Sequence, residues 1–182
     1  MSLIVIDLEV IVNTKGMKDA EIIEIGACRL EKEGGEWKIK DTFSSLVYPV
    51  FHKKIPKRIS KVTNITTEMV KDAPTFDKVW ERFKKFSGEN ATFLAWGGND
   101  KDWFRMNCKR MCLPYKWMTF DYVDFQQEYK EMNEFPQVPS LQTAIEREEL
   151  EYTQDKLHRA PEDAYQCARV FQKVDKERGG VL

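Results

Sequence analysis

The chain has 182 residues, 42% of them hydrophobic and 12% aromatic, which is enough apolar side chain for a folded core and excludes the disordered and fibrous classes. Its longest apolar runs, residues 3–6 and 91–96, fall far short of the ~20 residues that cross a membrane. Twenty-nine Lys and Arg against 30 Asp and Glu leave a net charge of −1, so a nucleic acid partner would need a local basic patch.

In chain order, residues 3–9 and 21–30 are apolar runs bounded by charge and read as buried strands. Gly34 and Gly35 mark a turn and residues 37–48 continue extended, so a three-strand antiparallel meander is expected. From Pro74 the period changes, with Phe76, Val79, Trp80, Phe83 and Phe86 at helical spacing until Gly88. Residues 92–96 suit a short strand, Gly97-Gly98-Asn99 a tight turn, and 100–112 a helix. A strand over 117–120, a helix over 123–132 and a helix over 140–150 with Ser140 as its N-cap complete the middle. In the last helix Pro161 suits the first turn, and Ala164, Cys167, Ala168, Phe171 and Val174 form an apolar stripe. Strands first, then alternating helices and strands, predict one α/β domain over 1–182 with a mixed sheet. Asp7 and Glu9 cut the apolar start before a secretory signal could form, and Cys28, Cys108, Cys112 and Cys167 are too scattered for a disulfide framework. A cytoplasmic protein with free thiols is expected.

Asp7 and Glu9 lie two apart in the first strand, so both side chains share a face about 6.6 Å apart along it. Unpaired and buried they would cost several kcal/mol, and residues 1–14 contain no Lys or Arg. A bound cation answers this; a hydrated strand end answers it too. Asp100 follows the strand at 92–96, where open α/β sheets place ligand groups, or it caps the next helix. Asp163, in the first turn of the last helix, either serves a site or only favours the helix dipole. His158 precedes it by five residues and can turn back toward the same pocket from the loop before Pro161, or sit idle on the surface.

Asp-x-Glu, then Asp, then His-x4-Asp resembles the DEDDh (DnaQ-like) family of 3′→5′ exonucleases, which have a ribonuclease-H-like fold. The resemblance runs through IVIDLE, EIIEIGA, VTNITTEMVKDAPTFDKVWERFKKF, AWGGND, SLQTAIE and LHRAPEDA, nearly the whole chain. It points to the branch that trims small regulatory RNA and histone-message 3′ ends, with its bacterial sporulation-inhibitor members. What it implies is a mixed five-stranded sheet flanked by helices, with Asp7, Glu9, Asp100 and Asp163 as metal ligands and His158 as general base. The residue types suit that chemistry. In-line water attack on a phosphodiester needs charge stabilised on the attacking and leaving oxygens, which two divalent ions provide. An all-oxygen ligand set favours two Mg²⁺ or Mn²⁺ over zinc, and a histidine outside it can take the water's proton near neutral pH.

Where the family usually has small or hydroxyl residues after Asp-x-Glu, Val10, Ile11 and Val12 follow here, so a backbone N–H of Val10 is expected to meet the terminal sugar. Asn99 stands where an aromatic residue is common. HKKIPKRISK at 52–61 reads as a basic loop, with Lys53, Lys54, Lys57, Arg58 and Lys61 placed either for phosphates or merely for solvent. Trp96 could stack on a base or belong to the core, whereas core is expected for Trp103. Cys108 and Cys112, four apart on a helix without further ligands, are expected to pack. The expected activity is metal-dependent 3′→5′ hydrolysis of single-stranded RNA or DNA from the 3′-hydroxyl to nucleoside 5′-monophosphates. Its rivals are a catalytically silent nucleic-acid-binding or regulatory module of the same fold, and a proofreading subunit inside a polymerase.

Overall fold

In the computed structural model, which describes residues 2–12, 20–88, 90–115, 121–153 and 157–179, three strands open the chain as the sequence predicts. β1 (Ser2–Ile11), β2 (Glu21–Glu33) and β3 (Glu36–Leu46) pair antiparallel in that order, and Gly34 and Gly35 turn the second hairpin at φ 59° and 88°. After them come α1 (Lys57–Thr63), α2 (Thr67–Val70), α3 (Phe76–Ser87), β4 (Ala91–Ala95), α4 (Asn99–Arg110), β5 (Tyr122–Asp124), α5 (Phe125–Met132), α6 (Leu141–Arg147) and α7 (Ala160–Arg178). β4 and β5 join parallel on the far side of β1, giving the order β3-β2-β1-β4-β5. The α/β fold with a mixed five-stranded sheet between helices is thus the one expected. Among the described residues no helix is long and apolar enough to cross a membrane.

Period-two alternation divides β1 between two cores. Ile4, Ile6, Leu8 and Val10 meet Trp80 and Phe83 of α3 and Phe104 of α4. Leu3 and Val5 meet Phe125 and Tyr129 of α5 and Ala168 and Phe171 of α7. The second stripe, continued by two and by four, arrives at Asp7 and Glu9, so the acids extend an apolar stripe on the α7 face at the carboxyl end of the strand.

The start of α7 is pressed onto β2. A Cβ on Gly26 would lie 2.1 Å from the carbonyl carbon of Ala160 and 2.2 Å from the nitrogen of Pro161, so only glycine allows this approach. Glu24, 1% exposed, accepts the Ala160 N–H at 3.0 Å and the Arg159 Nε–H at 2.9 Å, and also pairs with Arg159 Nη2. Gly26→Ala is expected to destabilise the fold by at least the ~1–3 kcal/mol of ordinary overpacking. Thermal unfolding measures this; an unchanged midpoint would show that α7 lifts off β2 without cost.

Several elements fall differently from their sequence reading. The basic run is not all loop: Pro56, at φ −60°, is the N-cap of α1, so Lys57, Arg58 and Lys61 are helical and Lys61 favours the dipole in the last turn. Val123 is in β5, because the Asp124 carboxylate accepts the Gln127 N–H at 3.1 Å and starts α5 only after itself. Ser140 does cap α6, accepting the Thr143 N–H at 3.0 Å, but that helix ends at Arg147, and Glu149 turns to φ 51°. β3 stops at Leu46, beyond which Tyr48 makes an isolated bridge to Thr75. α2, capped by Thr66, has no counterpart in the sequence reading. The strand expected over 117–120 lies outside the described residues.

Candidate active site

One carboxylate oxygen each from Asp7, Glu9 and Asp163 lie within 4.8 Å of one another. Asp100, 6% exposed, joins them as a wall of one cavity of about 340 Å³, with Trp96, Trp103 and Gln126 among its other linings. β1 and β4 are parallel neighbours, so Asp7 and Glu9 from one and Asp100 just beyond the other meet at their carboxyl ends, where α/β sheets place ligands. Asp100 does not cap α4. Gly98 is the N-cap, and the Asp100 carboxylate instead accepts the backbone N–H of Leu8 and its own.

Burial pushes all four acids upward, and neighbouring carboxylates add to it. Asp7 is held well above the usual carboxylate range, by burial and then by Asp100, Asp163 and Glu9. Glu9 is pushed up to about 8 by burial, then by Asp163, Glu24 and Asp100, with Arg159 pulling the other way. Asp100 is pushed up to about 7 by burial, against its backbone hydrogen bonds. Asp163 rises only to about 6, because the His158 N–H and imidazole oppose the effect of burial. Acids raised in the folded state hold protons that the unfolded chain has released, so stability falls as pH climbs from ~4 toward about 8. A divalent cation on these oxygens reverses this. In chelator the unfolding midpoint is expected to fall from pH 5 to pH 8, and Mg²⁺ or Mn²⁺ to raise it more at pH 8 than at pH 5. A midpoint indifferent to both would mean that the acids are not a cation site.

The donor set fits hard divalent ions: four carboxylates face one cavity, and among the described residues no thiol or imidazole lines it. His158 stands at the rim, with an exposed side chain and φ 65°, a conformation that costs on the order of 1–3 kcal/mol outside glycine. Its N–H points at both Asp163 oxygens, 3.3 Å from each, and so ties this loop to the last acid.

The remaining sequence candidates are dispersed. The Val10 side chain is buried in the core. Trp96 packs in the core, with its ring on Phe125 and Tyr129 and its Nε1–H donating to the Pro139 carbonyl, and it also lines the cavity. Trp103 is half-buried against the core and lines the cavity as well. Lys53, Lys54, Lys57, Arg58 and Lys61 are exposed and outside the cavity, yet Arg58 Nη2 donates to the Val12 carbonyl, which brings α1 to the end of β1. Buried Glu21 accepts the N–H groups of Phe51 and His52 and the His52 ring nitrogen, anchoring the coil that carries Lys53 and Lys54. The sequence reading passed over Glu24, Gly26, Arg159 and Gln126. For Glu24 the signal was available, since it is an acid within an apolar strand, the same anomaly that singled out Asp7 and Glu9.

An exonuclease family profile (RNase_T) matches residues 4–171. The chain is 31% identical over 175 residues to a PolC-type DNA polymerase III of Caldanaerobacter subterraneus subsp. tengcongensis, covering 94% of this chain and 11% of that protein. It is 29% identical over 174 residues to the DNA polymerase III subunit epsilon of Aquifex aeolicus, covering 96% and 80%. It therefore spans about a tenth of the PolC-type relatives it matches. Among solved structures, the nuclease domain of 3′hExo, a DEDDh family member bound to rAMP, superposes with a TM-score of 0.82 at 21% identity, covering 97% of this chain and 92% of that one. That likeness shows the ribonuclease-H-like fold.

Proposed function

The chain belongs to the exonuclease family, and from that premise we propose that it is a metal-dependent 3′→5′ exonuclease, hydrolysing single-stranded RNA or DNA from the 3′-hydroxyl to nucleoside 5′-monophosphates. The observation that carries this reading is the convergence of Asp7, Glu9, Asp100 and Asp163 on one cavity at the carboxyl ends of β1 and β4. Those four would hold two Mg²⁺ or Mn²⁺, which when bound lower the pKa of water and neutralise charge on the attacking and leaving oxygens. His158, tethered beside Asp163, takes the proton of the attacking water. The Val10 N–H meets the terminal sugar, Trp96 walls the nucleotide pocket, and Lys53, Lys54, Lys57, Arg58 and Lys61 attract the phosphate backbone. A silent binding module would have no use for four carboxylates raised by burial.

The polymerase relatives favour one variant of this reading, in which the same chemistry proofreads within a polymerase assembly. Co-purification with a polymerase separates the two. The activity itself is tested by digesting matched 5′-labelled RNA and DNA strands with Mg²⁺ or Mn²⁺. Stepwise shortening with mononucleotide products supports it, and binding of both strands without shortening overturns it in favour of the silent module.

A further inference from the structure

Beside the carboxylate cavity, on the other flank of the first turn of α7, lies a second groove of about 460 Å³, bordered by Thr42 and Ser44 of β3, Asn64 after α1, and Arg159, Glu162 and Tyr165. Asp163 belongs to the cavity while Arg159 and Glu162 belong to the groove, so one turn of backbone separates them. Register explains why the groove is open and carries hydroxyls along its β3 side. Ser44 pairs with Gly26, which lies under Ala160, and Thr42 pairs with Cys28, which packs in the α7 core. Both side chains therefore face the α7 side of the sheet, and both are exposed beyond the helix's edge.

We propose that this groove holds the nucleotide immediately upstream of the reacting 3′ end, with Arg159 meeting its phosphate and Tyr165 its base; this rests on the exonuclease reading. Glu24 grips Arg159 through Nε and Nη2, and among the described residues Nη1 has no partner. The guanidinium side chain is 30% exposed, and its charge reaches Glu9 in the cavity. Fixed on one edge and open on the other, it is already oriented for a phosphate oxygen. Tyr165 is 40% exposed, with the Arg169 guanidinium 5.9 Å from its ring centroid. Arg159 and Glu162 nearly balance in charge, which suits a base in the groove more than a run of phosphates. The cations are on its flank: α1 begins at Lys57, touches Val12 through Arg58, which donates to the carbonyl, and passes Lys61 before reaching Asn64 in the groove. A strand leaving the cavity along α1 has positive charge beside its backbone and a ring for its next base, the combination that binds single strands without sequence preference.

The test pairs Tyr165→Ala with a strand whose penultimate nucleotide is abasic. Binding is read by anisotropy in Ca²⁺, a hard cation that takes the same oxygen donors, and turnover is read in Mg²⁺. Removing the base is expected to weaken binding and raise KM by about 5- to 100-fold in the intact chain, with little change in kcat. Tyr165→Ala is expected to cost a similar factor on the ordinary strand and almost nothing further on the abasic one, and Tyr165→Phe to restore binding. An abasic penalty that is equal with and without the Tyr165 ring overturns the groove assignment, even where strands are shortened. Coupling without turnover keeps the groove and removes the exonuclease reading.

Discussion

Asp7→Asn is expected to reduce hydrolysis by ~10³-fold or more while leaving the chain folded. Asp7 lies within 4.8 Å of both Glu9 and Asp163 through one oxygen of each, and the other three acids of the group all repel it. Bound metal supplies several kcal/mol of transition-state stabilisation, and each ~1.4 kcal/mol is a factor of ten in rate. Replacing one carboxylate by an amide removes a charged ligand without removing volume. In chelator the same change relieves burial of a charge among like charges, so Asp7→Asn should unfold at a higher temperature than the parent and gain less from added metal. Stability and activity thus move in opposite directions, which separates loss of a ligand from loss of the fold. Hydrolysis by Asp7→Asn at the parental rate, or by the parent in chelator, would remove the acids from the chemistry.

His158→Ala is expected to lower kcat by ~10²–10⁴ with little change in KM, the signature of a group that acts in the transition state rather than in binding. The backbone N–H that tethers the loop to Asp163 survives the substitution, so the acid cluster keeps its geometry. The chain has only one other histidine, His52, whose ring contacts Glu21. If His52→Ala carries the loss and His158→Ala does not, the base is misassigned.

What was legible in the sequence was whatever depended on periodicity and on anomalies within it. Apolar runs and their alternation located β1, β2 and β4, and the acids in the apolar stripe of β1 singled out two of the four carboxylates that line the cavity. Elements governed by a single local contact were harder. The Asp124 cap shortens the expected helix by moving Val123 into β5, and Pro56 turns the back half of a presumed loop into α1. Least visible were the pieces that depend on contacts distant in sequence. Gly26 reads as an unremarked glycine in a strand until Ala160, far along the chain, is placed against it. Arg159 reads as a surface charge until Glu24 takes two of its nitrogens. Such pairings fix the position of Asp163 and open the groove beside it, and nothing in local composition announces them.

The most direct measurement of the central claim compares three forms of one strand in Mg²⁺ or Mn²⁺: linear with a 3′-hydroxyl, linear with a 3′-phosphate, and covalently closed. In the proposed reading the reacting end sits among Asp7, Glu9, Asp100 and Asp163, which line one cavity, and a terminal phosphate there adds charge beside carboxylates. The 3′-hydroxyl strand is therefore expected to lose nucleoside 5′-monophosphates one at a time, the 3′-phosphorylated strand to resist, and the circle to remain intact. Efficient opening of the circle would contradict the directional, end-dependent reading.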